Sequence, residues 1–296
     1  MVTVKMNLGE KIGLIILGWQ TSFRMLKKHP LIILPYIFLS LIEAILLILL
    51  YLAPQPPVSA FLAPPIKAFF GEAYLHYPSN LLILPALFDY SLLFLTIIFG
   101  VMINGMVVGM VSDAHEKKGL YLFANLAKAI KKYPALILLS LFMAISAYII
   151  FIIPKMLILG FYTHQMETIF HLSQWRVLQI ALGTSFFFFL ILDLLFAYSI
   201  PAVIIENRGI FSAIKRSFSV NRGILFSTFF LVLIPTIFNC IILLLKLKIL
   251  FFMEMTFPEI VLFILGSSIF IKIFTEYLRV SSIATIFLWR KENETT

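Results

Sequence analysis

The sequence predicts an all-α, polytopic membrane helix bundle. Six transmembrane helices are arranged as three parallel repeats, each an amphipathic interfacial helix followed by a helical hairpin. Three observations lead there. Of 296 residues, 61% are apolar and only 12% charged, with a mean hydropathy of +1.04, against roughly 45–50% and 25% in ordinary globular chains. Six apolar stretches each reach the about 20 helical residues that a hydrocarbon core requires. A short, basic, amphipathic segment recurs before the first, third and fifth of them. With 31 Phe beside 14 Asp+Glu, the chain cannot clothe a water-soluble surface.

Residues 8–28 open the first unit. Ile12, Ile15, Ile16, Trp19, Phe23 and Leu26 fall at helical spacing, with Gln20, Arg24 and Lys27 opposite. Such a segment is too short and polar to span, but suits a helix lying in the headgroup plane. The run from Ile12 breaks into Gln20-Thr21-Ser22 without a small-residue cleavage pattern, so no cleavable signal peptide is expected. Lys27-Lys28-His29-Pro30-Leu31 closes the segment, and proline there fixes the backbone where one helix stops and the next begins. The first span, Leu31–Ala53, leads into a proline-rich outer loop containing Glu72 and His76.

The second span, Leu81–Val111, carries Gly105-Met106-Val107-Val108-Gly109, a small-xxx-small pattern that permits close helix contact, with a hinge as the other reading. In the second amphipathic segment Phe123, Leu126, Ala127 and Ile130 oppose Asn125, Lys128 and Lys131, and it ends in Lys131-Lys132-Tyr133-Pro134-Ala135. Spans three and four follow at Pro134–Ile153 and Val177–Ile205. The third segment sets Phe211, Ile214 and Phe218 against Lys215, Arg216 and Ser219, and ends in Val220-Asn221-Arg222-Gly223 rather than in proline. Ile224–Leu245 and Ile260–Trp289 complete the six. The odd-numbered spans hold about 20–23 residues and the even-numbered about 29–31. At ~1.5 Å per residue the long ones reach ~45 Å, so they must tilt, bend or project.

The repeats are approximately residues 8–115, 116–206 and 207–291, in one integral membrane domain. Asp193-Leu194-Leu195 through Ser199-Ile200 aligns with Glu276-Tyr277-Leu278 through Ser282-Ile283 without a gap. Glu116-Lys117-Lys118-Gly119 and Glu206-Asn207-Arg208-Gly209 follow the second and fourth spans. Each unit crosses twice, so the units face the same way, unlike inverted repeats. Most of the 23 Lys+Arg fall in the N-terminal segment, the second-to-third and fourth-to-fifth connections and the tail. The positive-inside rule then puts both termini in the cytoplasm and the protein in a cell membrane. The charge of +9 is read as this bias and not as a nucleic-acid signal.

Phe211-Ser212-Ala213-Ile214-Lys215-Arg216-Ser217-Phe218, followed by an apolar span, resembles a motif in the membrane domain of glycerophosphoryl diester phosphodiesterases and in related stand-alone six-pass prokaryotic proteins. The resemblance covers residues 8–291. In those enzymes the membrane domain precedes a soluble catalytic barrel. This sequence ends about seven residues after its last span, so the resemblance brings neither phosphodiesterase activity nor a catalytic residue.

Glu43, Asp193, Lys272 and Glu276 fall near the middle of their spans, with Arg279 close by and Asp89 toward an outer end. An uncompensated charge at the bilayer centre costs roughly 2.5–3.5 kcal/mol, which demands pairing, neutralisation or burial. Lys272, Glu276 and Arg279 share one helical stripe and can pair locally. Asp193 matches the depth of Glu276 by repeat equivalence, and Asn104 sits one residue from it on the second span. Two readings stand: a salt-bridge network locking the repeats, or a polar midplane site for protons, cations or a lipid headgroup.

Arg24, Lys27, Lys28, Lys128, Lys131, Lys132, Lys215, Arg216 and Arg222 are the expected contacts to anionic lipid. His164, Glu167 and His171, at i,i+3,i+7, are weak metal candidates lacking a full motif; no metal or cofactor is expected. Cys240 is the single cysteine, so no intrachain disulfide forms. There is no phosphate-binding glycine loop and no nucleophile elbow. Three functions remain: a non-enzymatic transport or lipid-handling module for a small solute or lipid, a scaffold for partner membrane proteins or anionic lipid, and an intramembrane enzyme using Asp193 or Glu276. A transport or lipid site requires a cavity reaching the Asp193/Glu276 depth. A scaffold requires a tight bundle with an exposed groove.

Overall fold

The computed structural model describes residues 7–161, 174–249, 253 and 257–295, and among these the secondary structure is helical, with no strand. Six helices are long and apolar enough to cross a membrane: Pro30–Tyr51, Ser79–His115, Tyr133–Ile150, Phe186–Ile205, Ile210–Lys246 and Ile260–Glu294. This is the set expected of a multi-pass membrane protein.

Helix α1 (Leu8–Lys28) starts from a reciprocal cap. Asn7 Oδ1 accepts the Glu10 amide and Glu10 Oε2 accepts the Asn7 amide, both at 2.8 Å, satisfying two otherwise orphaned donors. A 3-10 turn at Pro30–Ile33 then leads into α2 (Leu34–Tyr51). The basic helix α6 (Leu122–Lys131) precedes α7 (Tyr133–Phe161) in the same way. In α10 (Ile210–Leu247) the basic and apolar parts form one run, kinked at Ile224 (φ −127°, ψ 20°), the residue at which the sequence starts the fifth span.

Each of the three basic helices turns one face to the bundle. Leu14, Gly18, Ser22 and Met25 of α1 face the bundle, while Ile12, Ile16 and Phe23 are exposed. In α6 Asn125 and Ala129 are buried and Phe123 is 80% exposed. In α10 Ala213, Ser217, Val220 and Asn221 are buried and Phe211 is 84% exposed. Beside them Ile15, Trp19 and Leu26 of α1 and Leu126 of α6 pack at the edge of the core, and the small residues mark the closest approaches. At Gly18 a Cβ would already stand 3.3 Å from Leu231. The Tyr277 hydroxyl of α11 (Ile260–Thr295) donates to the Ser22 carbonyl at 2.7 Å.

Two of the long spans are interrupted rather than merely tilted. The second consists of α4 (Ser79–Leu95), a π-turn at Thr96–Gly100 and α5 (Val101–His115). The fourth is α8 (Gln174–Phe196), a turn at Ala197-Tyr198 and α9 (Ser199–Ile205). Pro201 supplies a cause, since it has no N–H to offer the Ala197 carbonyl. The first outer connection, read as a proline-rich loop, contains α3 (Ser59–Phe70) with Pro64 and Pro65 inside it. Burial of Ile66 against Ala53 and Ile83 accompanies this departure from local propensity.

Helix α5 is the central post, with Gly105–Ser112 buried without interruption. Around it Ile32, Tyr36, Tyr198, Val220, Leu231 and Phe287 form the main core. A second core, around Leu47, Leu81, Phe88, Val261 and Leu265, joins α2, α4 and α11. From α7 only Leu136, with Ala135 at its edge, joins either core, and no described residue of α8 does.

Helices α5 and α9 end alike. Lys117 (φ 56°) and Asn207 (φ 55°) both adopt the left-handed conformation that terminates a helix. Each is flanked by an ion pair, Lys118 with Glu116 and Arg208 with Glu206. The hydrogen bond from Lys118 holds the Glu116 carboxyl below the usual carboxylate range.

Candidate functional site

Three spans converge on a cluster of five charged side chains. Arg279 of α11 donates through Nη1 to both carboxylate oxygens of Asp193 on α8, at 3.0 and 2.9 Å, and through Nη2 to Glu276 at 2.7 Å. Lys272, two turns away on α11, donates to Glu43 of α2 at 2.5 Å. Glu43 is 1% exposed, and its second oxygen is buried without a hydrogen-bond partner, as is Arg279 Nε. Nearby, the Tyr36 hydroxyl donates to Asn104 Oδ1 at 2.8 Å, linking α2 to α5.

The five expected residues are therefore brought together as a triad and a pair, but one expected pairing is absent. Lys272 does not bridge to Glu276 along its own helix; it crosses to Glu43. The guanidinium fork serves two carboxylates at once, so Glu276 is taken by Arg279, and the flexible Lys272 stem reaches the partner left over. Asp89 is likewise paired across spans, with Lys246 at 2.5 Å.

A cavity of about 250 Å³ opens beside this cluster, between α4–α5, α7, α8–α9 and α11. Among the described residues Asp193 and Arg279 are its charged lining residues; Asn104, Thr96 and Ser140 add polar groups to otherwise apolar walls. A dry cavity of ~150 Å³ holds a benzene ring, so there is room here for a larger guest. Both helix interruptions border it, through Thr96 and Ile97 on one wall and Ala197 on another. Irregular backbone at membrane depth needs other partners, and α10 supplies them. Ser217 Oγ donates to the Leu195 carbonyl at 2.6 Å and accepts the Tyr198 amide at 3.1 Å; Asn221 donates to the Leu194 carbonyl at 2.7 Å.

The small-xxx-small pattern of α5 serves close packing. A Cβ on Gly105 would lie 2.9 Å from Leu136, and one on Gly109 2.3 Å from Asn125 Oδ1. Asn125 uses that space to donate to Asp113 at 2.6 Å.

Of the cations expected at anionic lipid, Arg24, Lys27, Lys28, Lys131, Lys215 and Arg222 are exposed, and Lys128 and Lys132 partly so. Arg216 is a correction. It turns inward to Glu206 at 3.1 Å and Glu294 at 2.6 Å, over the ring of Phe287. Arg290, buried, also donates to Glu294 at 3.1 Å. Sequence alone does not reveal this network, because its Arg216–Glu294 link joins positions 78 residues apart. His164, Glu167 and His171 lie outside the described residues; among those described, no group of three or more His, Cys, Asp or Glu is placed to hold a metal ion.

No family model matches the chain, and no curated protein or solved structure matches it either.

Proposed function

We propose that the chain is a non-enzymatic transport or lipid-handling module of a cell membrane, taking a small solute or lipid into a polar site near mid-bilayer depth. The cavity that ends on Asp193 and Arg279 carries this reading. A bundle built only to lock its helices together would fill that volume with side chains. Broken helices beside a cavity are also how membrane proteins expose backbone and polar groups to a guest.

On this reading the three basic helices lie at the cytoplasmic face, both termini are cytoplasmic, and the units 8–115, 116–206 and 207–291 are parallel repeats. The matched left-handed caps at Lys117 and Asn207 support that equivalence. The chain then belongs with the stand-alone six-pass relatives of the phosphodiesterase membrane domain. A second reading, a scaffold on anionic lipid or partner membrane proteins, draws on the outward Phe123 and Phe211 beside exposed lysines. It needs no guest in the cavity.

The two separate in one experiment. Protein in nanodiscs is irradiated with a phospholipid or alkyl probe bearing a diazirine on its chain. Labelling should concentrate on the α7 wall at Leu139, Met143 and Ala144, and Ala144→Trp should suppress it. Labelling there no stronger than at the exposed Phe238 of α10 would refute the binding site.

A further inference from the structure

The charges beside this cavity do not balance. Arg279 contributes one positive charge and is shared by two carboxylates, Asp193 and Glu276. The neighbouring Lys272–Glu43 pair is neutral by itself. With all groups ionised, the cluster carries one negative charge more than its cations cancel. Among the described residues no other charged side chain lines the cavity to offset it.

This excess decides which guest the site accepts. An anionic headgroup would meet the Asp193 carboxylate and a guanidinium whose terminal nitrogens are already donating to Asp193 and Glu276. A cation would bring the site to neutrality, and in a low-dielectric setting an unpaired charge is the costly state. Both Asp193 oxygens rest on the single nitrogen Nη1, which leaves carboxylate lone pairs able to accept from an ammonium group. Beyond that polar end, Leu93, Ile97, Leu139, Met143, Phe189 and Leu192 present apolar surface to a hydrocarbon tail.

Resting on the cavity being a binding site, we propose that its ligand is a lipophilic amine. A protonated primary ammonium sits on the Asp193 carboxylate and an alkyl body lies along the α7–α8 wall.

The test is displacement of the diazirine alkyl probe from α7, in phosphatidylcholine nanodiscs, by n-decylamine, n-decanol, n-decanoate and lysophosphatidylethanolamine. Decylamine should displace at about tenfold lower concentration than decanol, the worth of one charge-assisted hydrogen bond, with decanoate and the lysolipid weaker than the amine. Asp193→Asn and Glu276→Gln should each reduce the amine-over-alcohol ratio to near one. The second variant removes the surplus charge without touching the ligand contact, so the pair remains informative if one fails to fold.

Equal displacement by decylamine and decanol, or a preference that survives both substitutions, overturns the ammonium assignment and leaves the cavity reading intact. A lysolipid as potent as decylamine assigns the site to a membrane headgroup and overturns it too. Absence of α7 labelling in the unmodified protein defeats the cavity reading and this proposal together.

Discussion

Gly109 and Lys117 show how much a single backbone position decides. Gly109 leaves the space that Asn125 Oδ1 occupies. Gly109→Ala should therefore displace the Asn125–Asp113 hydrogen bond and cost about 1–3 kcal/mol, read as a lowered thermal midpoint in detergent. Lys117 holds a left-handed conformation that costs a side-chain-bearing residue roughly 1 kcal/mol, so Lys117→Gly should raise the same midpoint. At the Glu43–Lys272 pair, Glu43→Gln alone strands a lysine whose side chain is only 25% exposed. We expect a loss of about 2 kcal/mol, largely recovered in the double variant Glu43→Gln/Lys272→Met; a double variant worse than the single would contradict direct pairing. The sequence reveals that these charges need compensation, because their cost in hydrocarbon follows from type and position alone. It does not reveal who compensates whom. Local spacing favours Lys272 with Glu276, whereas the contact that forms spans 229 positions of chain.

Helices were easier to foresee than their defects. The spans follow from runs of apolar residues, and the start assigned to the fifth coincides with the kink at Ile224. The π-turn at Thr96–Gly100 has no compositional mark, and the break at Ala197-Tyr198 is hinted at only by Pro201. Helix α3 was hidden by the very prolines it contains. In the basic helices periodicity located the amphipathic segments but not which side chains of each meet the bundle, since composition cannot tell a core from lipid as the apolar neighbour. Outward apolar groups beside exposed lysines lead to an expectation. Replacing Lys27, Lys28, Lys131 and Lys132 together with Gln should weaken retention of anionic lipid by about 1 kcal/mol per charge near the surface. Native mass spectrometry of co-purified lipid measures this, and an unchanged lipid complement would argue against the contact.

Across the whole molecule, orientation is the claim most open to direct test. In a Cys240→Ser background, cysteines placed at Lys27, Lys131 and Arg222 should all react with an impermeant maleimide from one side of sealed vesicles, and one at Glu72 from the other. Reaction of Lys27→Cys and Lys131→Cys from opposite sides would contradict parallel units. The two cores also divide the bundle unequally. α2, α5, α10 and α11 knit together through shared buried side chains, while the described part of α7 and α8 leans on that frame and contributes little to it. In amide hydrogen exchange α7 and α8 should open first, as a low-stability unit, while α9 and the other four spans, held by the two cores, stay protected.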